Sequence, residues 1–428
     1  MTSRRTRSKG QRWTEALLAI VVTLLALPSS RAAAQGSGKS IVLVQEAGNP
    51  ELTWARTNLW PAFEKETGIK VNVVEIPQAN MHEKYLVEFL GGSGAYDVVD
   101  LNSTWMPEFS AAGYLEPMTK YISAKEKAEF LEPALADSSY KGVLFGIPFI
   151  SHTMYLYYRT DLFQAAGLQP PKTWEEYAAA AKKLTKDGVY GTALEGKRYI
   201  SCAAAYDDWI TRWGGRLVDD SGKVVIDSDK ALAASRFMTN LLYEDKVVPP
   251  GVVNFDCVDI ATLFVQGKLA MCQDWYFVAS MADDPKQSKI VGKWALAQIP
   301  KTGAAGGYLG SFALSIPAAS KNKEASWKLI KYFFDHYAQI RKTIPAPVTN
   351  RAALAQILAD PQVTDRQKAL FKAFNEGASV AIPMPPVAQQ SAIMDSLEIA
   401  VSTLMSRAKT PEDVLKDASK EIKQTLNQ

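Results

Sequence analysis

The chain has 428 residues, about three times a typical domain of ~150 residues. Hydrophobic residues make up 47% and charged residues 22%, which sets aside disorder, collagen and coiled coil. The net charge is +3, but the first 34 residues hold six basic side chains and one acidic one. The remaining 42 basic and 44 acidic side chains nearly balance, which argues against general nucleic-acid binding.

The N-terminus reads as a cleavable export signal over residues 1–34. A cationic stretch runs to Arg12, an apolar run follows from Ala16 to Leu27, and Pro28 breaks it before Ala32, Ala33 and Ala34, an A-x-A cleavage pattern. The apolar run is 12 residues long, short of the ~20 a bilayer span needs. Gln35 rather than Cys follows Ala34, so no lipid anchor is expected. Cleavage after Ala34 would deliver the protein to the periplasm. No later segment is long and apolar enough to span a membrane.

From residue 40 onward, strand and helix patterns alternate. Ile41 to Val44 predicts a buried strand. Leu52, Ala55, Leu59 and Phe63 place a helix over 51–67, which Gly68 ends. Ile69 to Ile76 alternates as a strand, Met81 to Leu90 is helical, Tyr96 to Leu101 is a strand, and Met106 to Ala112 is a helix. Strand character runs from Gly142 to Arg159. A long helix starts at Trp174, with Thr173 as N-cap and Glu176 as its capping-box acid. Helices are expected at 203–213, 229–244 and 258–266, strands at 269–273, 294–298 and 308–316, and helices from Lys323 onward. The alternation predicts an α/β protein of parallel sheets flanked by helices.

Several motifs fail on context. Gly36 to Ser40 (GSGKS) lacks the upstream glycine of a phosphate loop, and a strand follows it. Gly91 to Gly94 precedes a strand, the wrong order for a dinucleotide fingerprint. Tyr157 and Tyr158 are strand neighbours and point to opposite faces. Asp207 and Asp208 are paired carboxylates with no sign of a facing acid pocket. Cys202, Cys257 and Cys272 and the three scattered histidines show no metal-ligand spacing. One disulfide plus one free thiol is open, with Cys202–Cys257 as a conceivable bridge and Cys272 as the buried odd thiol.

An ordered series of segments resembles one family. Phe63 to Val71 (FEKETGIKV), Tyr96 to Asp100 (YDVVD) with Trp105, and Phe109 to Pro117 (FSAAGYLEP) come first. Gly142 to Pro148 (GVLFGIP), Tyr157 to Leu162 (YYRTDL) and Pro171 to Glu176 (PKTWEE) follow. Gly267 to Met271 (GKLAM), Gly310, Ala319 to Lys323 (ASKNK) and Thr410 to Asp417 (TPEDVLKD) complete it. The series is similar to the extracellular solute-binding proteins that feed ABC importers, in the carbohydrate subgroup of the maltose-binding type.

The resemblance implies two α/β lobes, each a central sheet flanked by helices, joined by hinge strands and closing on a ligand between them. The expected lobes are 38–148 with 310–355, and 149–309 with 356–428. The chain would cross near Pro148, near Tyr308 to Gly310, and near 355. The resemblance also implies no cofactor, no metal and no catalysis. Its partners would be a sugar or polyol and the permease subunits with their ATPase, the protein itself being a monomer that binds no nucleic acid.

Position-matching to the family puts Glu46 and Asn49, then Asn102, Thr104 and Trp105, on first-lobe loops at the cleft. It puts His152 just past the first crossing, Tyr206, Asp207 and Trp209 in the second lobe, Asp274 and Trp275 after a strand, and Tyr308 at the second crossing. Aromatic faces suit sugar C–H surfaces and polar groups suit hydroxyls. Competing readings are a binder of a phosphodiester or polyamine, and a secreted carbohydrate-active enzyme.

Overall fold

The computed structural model describes residues 39–303 and 306–428. The expected signal peptide, its cleavage site and Gly36 to Gly38 lie outside these residues. Among the described residues no helix is long and apolar enough to cross a membrane.

Among the described residues the ten strands are β1 (Ser40–Glu46), β2 (Lys70–Ile76), β3 (Val98–Asn102), β4 (Ser139–Tyr140), β5 (Val143–Leu144), β6 (Gly146–His152), β7 (Tyr155–Arg159), β8 (Met271–Asp274), β9 (Trp294–Ala297) and β10 (Gly310–Ser315). They form a five-stranded sheet in the order β2-β1-β3-β10-β6, a three-stranded sheet in the order β8-β7-β9, and the small hairpin β4-β5. The expectation of parallel sheets holds only for β2-β1-β3. β10 re-enters from the second sheet and runs antiparallel between β3 and β6, and the second sheet is antiparallel throughout.

The period-2 geometry of β1 divides the first core in two. Ile41 and Leu43 pack with helices Pro50–Asn58, Trp60–Thr67 and Lys323–Asp335 on one face. Val44 packs with helices Gln78–Gly91 and Met106–Ala111 on the other. The helix expected over 51–67 is two helices. Pro61 has no N–H to donate, so it sits in the first turn of a new helix after Leu59. Gly68 ends that helix in the left-handed region at φ 69°. The Thr173–Glu176 capping box opens helix Trp174–Leu184, both reciprocal bonds being present. Behind that helix, Trp174 stacks on Trp209 at 5.0 Å and on Trp213 at 5.4 Å.

The chain passes between the sheets in three places. The first passage lies between His152 and Tyr155 rather than at Pro148, because β6 stays paired with β10 to its end. The second runs through Gly306 to Leu309, where Tyr308 bridges Ile382. The third falls within helix Asp365–Val380 rather than near 355. Ile357 and Phe371 pack in the core of the first sheet and Phe374 in that of the second, so one continuous rod feeds both cores.

A buried clasp holds two of these passages. On helix Ile200–Arg212, Asp208 Oδ1 accepts the Tyr308 N–H at 2.9 Å and the Thr153 hydroxyl at 3.2 Å. Asp208 Oδ2 accepts Arg212 Nε and Gln273 Nε2, each at 2.7 Å. Arg212 also donates to the Thr153 hydroxyl and the Met154 carbonyl at 3.1 and 3.0 Å. A Cβ at Gly307 would stand 2.1 Å from Asp208 Oδ1, so glycine permits this close approach. The three cysteines are free thiols, and the conceivable Cys202–Cys257 bridge is not formed.

Candidate functional site

Sheet topology gathers the site. β1, β3 and β6 run the same way, so Glu46, Asn102 and His152 end on one edge of the first sheet. Gly310 opens β10 on that same edge, opposite His152. In the second sheet Tyr155 opens β7 opposite Asp274, the last residue of β8, so the segment from Trp275 continues from that edge. Carboxyl ends of parallel strands are where open α/β sheets bind ligands. A cavity of about 790 Å³ lies between the two edges, within the usual range for small-molecule sites.

Seven of the twelve expected residues line this cavity: Glu46, Asn49, Asn102, Thr104, His152, Trp275 and Tyr308. Local structure fixes their free groups. Asn49 Oδ1 caps helix Pro50–Asn58 by accepting the Leu52 N–H at 3.0 Å. Asn102 Oδ1 accepts both the N–H and the hydroxyl of Thr104, at 2.9 and 2.8 Å. Both amide NH2 groups therefore remain as donors. The His152 ring stands edge-on to Trp275 at 4.9 Å and nearly parallel to Phe312 at 6.2 Å. Burial pushes the His152 pKa down to about 3, so the imidazole is neutral at pH 7. Its Nδ1 has no partner among the described residues.

The other five do not line the cavity. Trp105 is a core residue, its ring 5.6 Å from His82 and 6.3 Å from Tyr85. Tyr206 is buried against Ser235, their hydroxyls 2.6 Å apart. Asp207 is buried and accepts the Thr211 hydroxyl at 3.3 Å, and burial pushes its carboxyl up to about 7. Trp209 belongs to the tryptophan stack. These three share helix Ile200–Arg212, whose cavity-facing residues, Ile200, Ser201 and Ala204, all lie in its first turns. Asp274 is fully buried, and its Oδ1 accepts the Trp275 N–H at 2.7 Å. It positions the neighbouring ring instead of facing the cavity.

Sequence reasoning missed much of the second wall. Tyr276 and Phe277 extend the aromatic surface from Trp275, and Phe312 adds to it from β10. Tyr199, just before helix Ile200–Arg212, donates its hydroxyl to Gln78 Oε1 on the opposite wall. Gln78 follows the end of β2, so the strand-end rule could have found it. Lys197 and Asp256 pair at 2.6 Å on the second wall, and nothing in their sequence spacing signals this.

The electrostatics are acidic. Burial, then the Glu51 charge, pushes the Glu46 carboxyl up to about 7. Asp100 behind it is raised well above its ordinary value by burial and by Glu46. Behind the other wall burial pushes Glu195 up to about 8, although the Ser201 hydroxyl, which lines the cavity, donates to it at 2.6 Å. Among the described residues no group of three His, Cys, Asp or Glu side chains is placed to hold a metal ion. The arrangement offers rings, amide donors, a neutral imidazole and carboxyl acceptors, which suits the faces and hydroxyls of a small polar ligand.

The sequence pattern of the bacterial extracellular solute-binding proteins matches residues 48–340. A Brucella abortus protein named as a binding protein is 28% identical over 84% of this chain and 86% of its own length. The maltose-bound MalE3 of T. maritima superposes with a TM-score of 0.82 at 29% identity, covering 90% of this chain and 99% of that one. An ABC transporter solute-binding protein of Agrobacterium radiobacter K84, in complex with ribitol, gives 0.79 at 26% identity, covering 90% and 98%.

Proposed function

We propose that this chain, which belongs to the bacterial extracellular solute-binding proteins, is the substrate-binding component of an ABC importer and captures a sugar or polyol in the inter-sheet cavity. The family consists of binding proteins rather than enzymes and acts outside the cytoplasmic membrane. The observation that carries the ligand class is the cavity wall itself. Rings of Trp275, Tyr276, Phe277 and Phe312 face amide, hydroxyl, imidazole and carboxyl groups across one space. Sugars and polyols present C–H faces and hydroxyl edges to such a wall, and a wrong stereoisomer leaves buried polar groups unpaired. Maltose and ribitol in the two structural relatives fit the same class.

The lobes in this reading are residues 39–152 with 310–371, and 155–307 with 374–428. A ligand touching both favours the closed state by its differential contacts. The permease subunits, with their ATPase, then receive the closed form. The working unit is a monomer that binds no nucleic acid, released to the periplasm by cleavage after Ala34. The ligand contacts are Glu46, Asn49, Asn102, Thr104, His152, Trp275 and Tyr308, joined by Tyr199, Tyr276 and Phe312.

The test is a thermal-shift panel on the protein from Gln35 onward, with mono-, di- and oligosaccharides, linear polyols, phosphodiesters and polyamines. A ligand at a hundred times its Kd stabilises the folded state by ~2.7 kcal/mol. A shift confined to one sugar or polyol group, saturable and without product on long incubation, is expected. Shifts only with phosphodiesters, or conversion of a sugar to product, would sink the reading.

A further inference from the structure

We propose that the preferred ligand carries a protonated amine beside its hydroxyls, as an amino sugar or amino polyol does, and that Glu46 receives the ammonium group. This rests on the cavity being the ligand site of the solute-binding protein.

Charge balance at the first-sheet edge is the first observation. Glu46 lines the cavity, with Glu51 and Asp100 behind it. The cation in this group, Arg341, is consumed by Glu51: Nη1 donates to Oε1 at 2.6 Å, and both side chains are fully buried. It also donates to the Phe149 carbonyl and stacks on the Tyr337 ring at 4.9 Å. Among the described residues no cation and no hydrogen-bond donor reaches the Glu46 carboxylate. Lys197, the cation on the cavity wall, is paired with Asp256 at 2.6 Å. With its carboxyl pushed up to about 7, Glu46 is divided between acid and carboxylate at pH 7, and a hydroxyl arriving there leaves the charge of the carboxylate form uncompensated, which is costly. An ammonium compensates it through a charge-assisted hydrogen bond.

The rings are the second observation. Tyr199 and Tyr276 lie close enough for the Glu46 charge to raise both phenols, and Trp275 and Phe312 extend the wall. Aromatic faces attract cations and repel anions. The third observation is His152, which lines the cavity with a neutral ring that is 8% exposed and so brings no cation to the site. A neutral imidazole has one acceptor nitrogen for an N–H. A carboxylate, a neutral imidazole and ring faces on one cavity wall suit a cationic, hydroxylated ligand, and none of them suits a phosphate.

Calorimetric titration at pH 7 with matched pairs tests this: D-glucosamine against D-glucose, D-galactosamine against D-galactose, and glucamine against sorbitol. At least one amine is expected to bind tenfold or more tighter than its parent, and Glu46→Gln should reduce that ratio to below threefold. Glu46→Asp, which keeps the charge, should retain the sign of the preference. Binding of a parent with no amine exceeding it overturns the proposal and leaves the sugar or polyol reading standing. A preference that survives in a folded Glu46→Gln protein also overturns it. Silence of every amine overturns the proposal as well, and the di- and oligosaccharides of the thermal-shift panel then decide the sugar or polyol reading separately. The wild-type comparison decides alone if the variants fail to fold.

Discussion

Arg212→Met probes the clasp that joins two of the passages between the lobes. The Arg212 and Asp208 side chains are 6% and 0% exposed and meet at 2.7 Å. The substitution removes that pair and the bonds to Thr153 and Met154, and leaves Asp208 buried without its cation. Breaking a buried pair from one side costs ~3–5 kcal/mol, because the remaining charge is uncompensated. With an unfolding entropy of ~2.1 cal/mol/K per residue over roughly 390 residues, that is a fall of about 4–6 °C in Tm if the lobes unfold together. The loss should depend on pH with a definite sign. Burial already holds the Asp208 carboxyl above its ordinary 3.8, and removing Arg212 raises it further. A carboxyl with a native pKa above its unfolded one binds more protons when folded, so stability rises as pH falls toward the unfolded value. The deficit should therefore shrink between pH 8 and pH 5, and Asp208→Asn with Arg212→Met should cost less than Arg212→Met alone. Scanning calorimetry of wild type and both variants at four pH values measures this. A deficit below ~1 kcal/mol, one independent of pH, or a double variant worse than the single would refute the argument.

Three other outcomes are expected. Trp275→Ala should weaken binding of whichever sugar or polyol is found by ~10–100-fold, since a buried ring contributes ~1.5–3 kcal/mol; isothermal titration reads it, and an unchanged Kd would remove Trp275 from the site. Thr173→Ala should cost ~1 kcal/mol through loss of the capping box, with affinity unaltered, because helix Trp174–Leu184 stands behind the tryptophan stack and outside the cavity lining. The ligand-free protein should gain stability as pH falls from 9 to 6: Glu195, Glu46 and Asp207 have carboxyls pushed up to about 8, 7 and 7, so each takes up a proton in the folded state before the unfolded one. A melting temperature that falls over that interval would contradict the burial of these acids.

The parts of the site legible in the sequence were those that ride on strand ends. Glu46, Asn102 and His152 came from the family resemblance, and each ends a strand that the sheet topology brings to one edge. The helical candidates lie away from the cavity lining for a matching reason. Tyr206, Asp207 and Trp209 sit in the body of a helix buried on all sides, and one sequence cannot say which turn of such a helix meets the cavity. Asp274 stands one residue before the cavity lining. Its carboxylate turns back onto the Trp275 N–H, a local bond that propensity does not reveal. Passages between lobes were misplaced where pairing outlasted the expected break, as in β6. The third passage was hidden inside a helix that supplies Phe371 to one core and Phe374 to the other.

Capture by closure needs the two states to lie close in free energy without ligand, and the cross-lobe contacts have the right scale. Tyr199 meets Gln78 across the cavity. Farther out, Ser391 donates to Glu108 Oε2 at 2.5 Å, and that oxygen also meets His82 at 2.9 Å. These groups are partly exposed, and such polar links contribute ~0–1 kcal/mol each after exchange with water. These two polar links do not hold the lobes shut by themselves; the His152–Trp275 ring contact and the packing of Tyr276 and Ile200 against the first-lobe cores add apolar contact across the same gap. A shift from 1:99 to 99:1 takes ~5.5 kcal/mol of differential binding, a range that a ring surface from one lobe and strand-end donors from the other can supply only when one molecule spans both. The Asp208–Arg212 clasp lies where the chain crosses, and not where the walls meet, so its bonds to Thr153 and Tyr308 can persist in both states. The clasp thus ties together the two segments that cross, while the cavity contacts are the ones a spanning ligand adds to.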